Sequence, residues 1–174
     1  NSAALGHHSS MFIRESMPSL PREERPRVLI VDDDEMSRTS AAAILSDDGF
    51  EVIEACSGQE ALQICERVTP DVVMLDVQMP GMNGYETCVA LRERPGGFDQ
   101  LILITTGLED AESIEHAYDA GATDFIAKPI NFQLLRHRMR YLVRGRRDRQ
   151  LAEDRIARMA FYDELTGLPN RAFL

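Results

Sequence analysis

The sequence predicts an α/β fold: a doubly wound, five-stranded parallel sheet in the order 2-1-3-4-5, with a C-terminal helical extension. Three observations predict it. Five strand-like runs alternate with five helix-length segments between Arg27 and Leu142, the pattern of βαβ units. Runs such as VLIV, VVML and LILI are apolar throughout, as strands covered on both faces must be. Residues that can carry chemistry follow four of the five strands, at the carboxyl ends where such sheets bind ligands.

The elements follow in order. Val28 to Val31 reads as the first, buried strand. Glu35 to Asp48 reads as a helix ended by Gly49, which tolerates a positive φ. Glu51 to Ala55 is the second strand. Ser57 and Glu60 form a capping-box pair that opens a helix to about Val68. Asp71 to Leu75 is the third strand and ends at Asp76, with a helix from Gly84 to about Arg94 behind it. Leu101 to Thr105 is the fourth strand, Asp110 to Ala120 a helix stopped by Gly121, and Asp124 to Ala127 the fifth strand. Asn131 caps a last helix to Leu142 or beyond. Right-handed crossovers leave few other topologies.

Composition narrows the class. The chain has 174 residues, 44% hydrophobic and 28% charged, with a formal net charge of −10. Its apolar runs are far shorter than the ~20 residues a membrane-spanning helix needs. Nothing reads as a secretory signal. Three cysteines (Cys56, Cys65, Cys88) lack metal spacing and read as buried small hydrophobes in a reducing compartment, so the expected location is cytoplasmic. The charge is uneven: nine arginines and three acidic residues lie between Arg136 and Arg158, against an acidic body. No membrane partner is expected. Nucleic acid is a poor partner for the acidic body, although the basic helix alone could touch phosphates.

Lys128 is the sole lysine beside eighteen arginines. Lysine is a compact point charge where arginine is a wide fork, so a small site gripping one anionic oxygen would accept only lysine. What else converges there decides its meaning. Asp32, Asp33 and Asp34 follow strand one, Asp76 follows strand three, Thr105 and Thr106 close strand four, and Lys128 follows strand five. In the order 2-1-3-4-5 these share one rim. Two carboxylates ~4 Å apart repel by roughly 4 kcal/mol at an effective dielectric near 20, so the site needs a cation or a proton. An all-oxygen site with open positions suits Mg²⁺. A carboxylate can also be the nucleophile, giving an aspartyl phosphate, and Asp76, alone before a Pro- and Gly-rich loop, is the candidate. Taken singly, each residue has a plainer role: Asp34 as a helix cap, Thr105 as a β-branched strand residue, Phe125 as core.

The segments VLIVDDDEMSR, DVVMLDVQMPGMNG, LILITT and GATDFIAKPI resemble the signature segments of the response-regulator receiver domain of bacterial two-component signalling, over about Arg27 to Leu142. The resemblance implies a flavodoxin-like (βα)₅ fold. It implies that Asp76 is the phosphoacceptor. Asp33 would bind Mg²⁺ (or Mn²⁺) directly, Asp32 through water, and Gln78 through its backbone carbonyl. Thr105 would be the switch hydroxyl, Phe125 the rotating aromatic and Lys128 the phosphate contact, with a cis peptide bond before Pro129. The partners implied are a sensor histidine kinase or phosphotransfer protein and a second copy of the chain, through the strand 4 to helix 5 face and the linker helix. Two departures stand out: Phe125 lacks the hydroxyl of the tyrosine common there, and Thr106 stands where alanine is frequent.

Residues 1–26 read as a tag remnant and flexible tail, 27–142 as the receiver, 143–162 as a helical linker and 163–174 as the start of an output domain. The linker is a poor coiled coil, because a heptad seam from Leu135 passes Arg146, Arg149 and Glu153. The final stretch, with Asp163, Leu165, Thr166, Gly167, Leu168, Pro169, Asn170 and Arg171, resembles the opening of GGDEF (diguanylate cyclase) domains. The GGDEF signature itself is not in the sequence, so this chain is expected to be a switch rather than an enzyme. Two other readings fit the sequence less well. A haloacid-dehalogenase-like phosphatase also carries D-x-D after strand one, but no cap-sized insertion exists and Glu35-Met36 do not suit it. A DNA-binding regulator would need a recognition motif that the sequence lacks.

Overall fold

The computed structural model describes residues 25–107 and 111–161. Five strands, β1 (Arg27–Val31), β2 (Glu51–Ala55), β3 (Val72–Asp76), β4 (Leu101–Thr106) and β5 (Asp124–Ala127), alternate with α1 (Glu35–Asp47), α2 (Gly58–Arg67), α3 (Gly84–Glu93), α4 (Ala111–Asp119) and α5 (Phe132–Phe161). The strands form one parallel sheet in the order β2-β1-β3-β4-β5. The predicted fold class therefore holds, with strand ends shifted by a residue at β1, β3 and β4.

The sheet divides the core in two. On one face Val28, Ile30, Met74 and Leu103 pack with Ala41, Leu45, Leu135 and Met139 of α1 and α5. On the other, Leu29, Val73, Leu75, Ile102 and Ile104 pack with Ala61, Cys88, Leu91 and Ala117 of α2, α3 and α4. Alternate residues of one strand thus serve opposite layers, which is why β3 is buried at all five positions.

Local chemistry sets the helix ends. Asp34 caps α1 by accepting the Ser37 N–H at 2.9 Å, and Ser57 caps α2 through the Glu60 N–H at 3.2 Å. Asn131 accepts from Gln133 and Leu134 to open α5. Asn83 and Glu86 make a full capping box at α3, a pair the sequence reading passed over.

One feature differs from expectation. Cys65 and Cys88 are buried, but Cys56 is exposed, because it lies just past the end of β2 with its N–H tied to Glu60 rather than in the core. In line with the helix read from Asn131 to Leu142 or beyond, α5 runs unbroken for 30 residues, with Gly145 inside it. Asp110, the expected first residue of the fourth helix, lies outside the described residues, as do the tail to residue 24 and the segment from 163 onward.

Candidate functional site

The carboxyl ends of β1, β3 and β5 bring the acids and the lysine together. Carboxylate oxygens of Asp32, Asp33 and Asp76 all lie within 4.8 Å of one another. Asp32 and Asp76 are buried and Asp33 is exposed. Lys128 Nζ stands 2.9 Å from Asp76 Oδ1 and 3.3 Å from Asp32 Oδ2. The lone lysine thus reaches across the sheet from β5 to β3 and β1.

Each group is held by backbone. Asp32 Oδ1 accepts the Asp34 N–H at 2.9 Å, and the Asp32 N–H donates to the Ala55 carbonyl at 3.2 Å. Thr105 pairs with Asp76 in the β3–β4 register, and its carbonyl accepts the Val77 N–H at 3.0 Å. The Lys128 N–H donates to the Thr106 carbonyl at 2.7 Å, and the Lys128–Pro129 peptide bond is cis. Thr105 and Thr106 are both buried. Gln78 lies in the β3–α3 loop, where, against the stronger effect of burial, its backbone amide draws the pKa of the Asp76 carboxyl down. Phe125 is half-buried and meets Tyr118 of α4 edge-on, with ring centroids 6.1 Å apart.

The β3–α3 loop must fold back closely. Gly84 opens α3 so near β3 that a Cβ there would meet the Asp76 carbonyl at 2.2 Å. Gly81 supplies the loop's positive φ of 77°. Tyr85, in the first turn of α3, donates its hydroxyl to the Ser113 carbonyl of α4 at 3.2 Å, tying the start of α3 to α4.

The electrostatics are those of crowded acids. Burial pushes the Asp76 carboxyl above the ordinary range, and the charge of Asp32 adds to this against the pull of Lys128. Burial alone would lower the Lys128 ammonium, but Asp76 and then Asp32 hold it above the usual lysine value. Three acids facing one lysine leave an excess of negative charge. The donors are oxygen only, with one exposed carboxylate and two buried ones, which fits a hard divalent ion and not a soft one.

A doubly wound sheet carries an acid pocket at its switch between β1 and β3, closed by a lysine from β5. The comparisons name the class of domain to which this arrangement belongs. The Response regulator receiver domain family matches residues 28–140. The chain is 37% identical over 119 residues to a cyclic di-GMP phosphodiesterase of Thermotoga maritima, covering 68% of this chain and 31% of that protein. It is 41% identical over 118 residues to response regulator MprA of Mycolicibacterium vanbaalenii, covering 68% of this chain and 50% of that protein. Among solved structures, chemotaxis protein CheY4 of Vibrio cholerae superposes with a TM-score of 0.66 at 32% identity, over 68% of this chain and 98% of that one. The chain belongs to the response regulator receiver domain family and carries the receiver domain of a two-component response regulator. It spans about a third to a half of the length of these two curated relatives.

Proposed function

We propose that this receiver is a phosphoacceptor switch, phosphorylated on Asp76 by a sensor histidine kinase or phosphotransfer protein. The observation that carries the reading is the Lys128 ammonium, 2.9 Å from Asp76 Oδ1 at the point where the Asp32 and Asp33 carboxylates converge. Asp32, Asp33, Asp76 and the backbone carbonyl of Gln78 would hold Mg²⁺ or Mn²⁺. Such an ion supplies charge neutralisation for an incoming phosphoryl group.

The reaction is an in-line displacement. An Asp76 carboxylate oxygen forms the new P–O bond as the donor's P–N bond to histidine breaks, and the pair of that bond returns to the imidazole. Lys128, already at Asp76, would then contact a phosphoryl oxygen. The pairing of Thr105 with Asp76 across β3 and β4 supports a part for its hydroxyl at the same group. Phe125 lacks a hydroxyl, so its part is packing against Tyr118.

The receiver (27–142) would pass this change through the helical linker (143–162) to an output domain beginning at 163. The resemblance of residues 163–171 to GGDEF domains, together with a relative named as a cyclic di-GMP phosphodiesterase, supports an output in cyclic di-GMP metabolism, with a cytoplasmic location. No helix among the described residues is long and apolar enough to cross a membrane. Self-association through the β4–α5 face is supported by Tyr118, Leu134 and Tyr141, which are 50%, 43% and 77% exposed.

The test is incubation with acetyl phosphate and Mg²⁺, read by intact mass. The wild type gains one phosphoryl group and Asp76→Asn none. Equal labelling of both removes Asp76 from the role. Sedimentation with and without beryllofluoride tests the dimer in the same samples.

A further inference from the structure

A partly buried cation stands behind the acid pocket. Arg38 projects from α1 with its side chain only 15% exposed. Its NH1 donates to the Asp32 backbone carbonyl at 2.8 Å, and its Nε donates to Glu54 Oε2 at 3.1 Å. One planar guanidinium therefore ties the β1–α1 turn to β2. The remaining polar groups of Asp32 are held too: its N–H by Ala55, Oδ1 by the Asp34 N–H and Oδ2 by Lys128. Arg38 completes this set at the carbonyl, where the chain turns from Asp32 to Asp33.

We propose that Arg38 is a positioning residue for the acid pocket. It fixes the peptide between Asp32 and Asp33 so that both carboxylates stand preformed toward Asp76. The proposal rests on the reading of these acids as a divalent-cation site, and it adds to that reading a part that no carboxylate supplies. Lysine cannot replace arginine here, because a single ammonium lacks the fork that spans a carbonyl and a carboxylate at once.

The proposal makes a prediction opposite in sign to simple electrostatics. Arg38 is a cation near a cation site, so removing its charge alone should tighten binding of a second cation. Removing a pin behind a ligand should weaken it, by about 10-fold or more where such supports have been deleted.

The experiment measures Mn²⁺ affinity by the paramagnetic resonance of free Mn²⁺, in wild type, Arg38→Gln, Arg38→Lys, Glu54→Gln and Glu54→Leu. Thermal melts check each fold. The expected result is Arg38→Gln and Arg38→Lys both weaker by about 10-fold. The two Glu54 variants lose the same charge, but only leucine loses the acceptor, so Glu54→Leu should bind several-fold more weakly than Glu54→Gln. This pair decides the matter if the Arg38 variants do not fold. Folded Arg38 variants that bind as tightly as wild type or more so, or Glu54 variants of equal affinity, overturn the positioning role alone. Wild type that does not bind Mn²⁺ overturns the acid-pocket reading and this proposal with it.

Discussion

The Lys128 ammonium bridges two buried carboxylates, 2.9 Å from Asp76 Oδ1 and 3.3 Å from Asp32 Oδ2. One cation does not balance this pocket, because Asp33 adds a third acid within 4.8 Å. The Asp76 carboxyl is raised above its ordinary value, chiefly by burial. A raised folded-state pKa means that the ionised group costs stability, which is lost as pH rises through that value and stays lost at neutral pH. Asp76→Asn should therefore melt higher than wild type in chelator. Excess Mg²⁺ should raise the wild-type Tm well above that of the variant, since ligand at 100 times Kd stabilises by ~2.7 kcal/mol. Differential scanning fluorimetry reads both. An Asn variant that melts lower in chelator would show that the pair with Lys128 outweighs the crowding.

Two glycines predict opposite signs. At Gly84 an added Cβ would strike the Asp76 carbonyl at 2.2 Å, a backbone atom that cannot step aside. Gly84→Ala should cost about 1–3 kcal/mol and lower phosphorylation by displacing the loop. At Gly145, inside α5, a Cβ meets nothing within 4 Å. Gly145→Ala should stabilise the helix by up to about 1 kcal/mol. Urea titration with unchanged m-values checks the pair.

Arg92 holds the lower end of the sheet. Its Nε donates to the Gly121 carbonyl at 2.7 Å, and NH1 donates to the carbonyls of Gly97 and Phe98 at 2.6 and 3.2 Å. Burial lowers its pKa, but arginine stays charged. Arg92→Met keeps much of the bulk and strands these acceptors, at a cost of about 2–4 kcal/mol spread over several carbonyls. Equilibrium unfolding measures it, and a loss within experimental error of zero would mean that water replaces the guanidinium.

Cys88 gives the chain an alkaline limit. Burial pushes its thiol up to about 11, from 9.0 in an unfolded chain. The raised group contributes stability below pH 9 that is lost as pH climbs toward 11. Cys88→Ala should flatten the fall of stability across that window, by up to about 1.4 kcal/mol per pH unit. Unfolding midpoints measured across the window test this.

Much of the fold was legible because burial on both faces leaves little freedom: VLIV and LILI can only be inner strands. The site was legible from one rule, that functional residues follow strands, and from the oddity of a single lysine. What the sequence hid were pairs far apart in the chain. Nothing local to Asp48 announces its ion pair with Arg140, and nothing near Arg92 points to Gly121. Arg38 was hidden for the same reason: its partners are a carbonyl, which every residue has, and a glutamate on another strand. The cap at Asn83 is readable from Asn83 and Glu86 three residues apart, the spacing of a capping box.

The unbroken α5 has a mechanical consequence. Its last core residues are Leu142 and Val143, and residues 151–157 are exposed. From Arg146, whose NH1 still donates to the Asp71 carbonyl at 3.1 Å, to Phe161 the rod extends by about 22 Å at 1.5 Å per residue. A tilt of roughly 10° where α5 leaves the body would swing the far end by about 4 Å. Under the proposed relay, a small rotation at the root of the rod would thus arrive enlarged at its far end, and bending stiffness along its length would set how much of it survives.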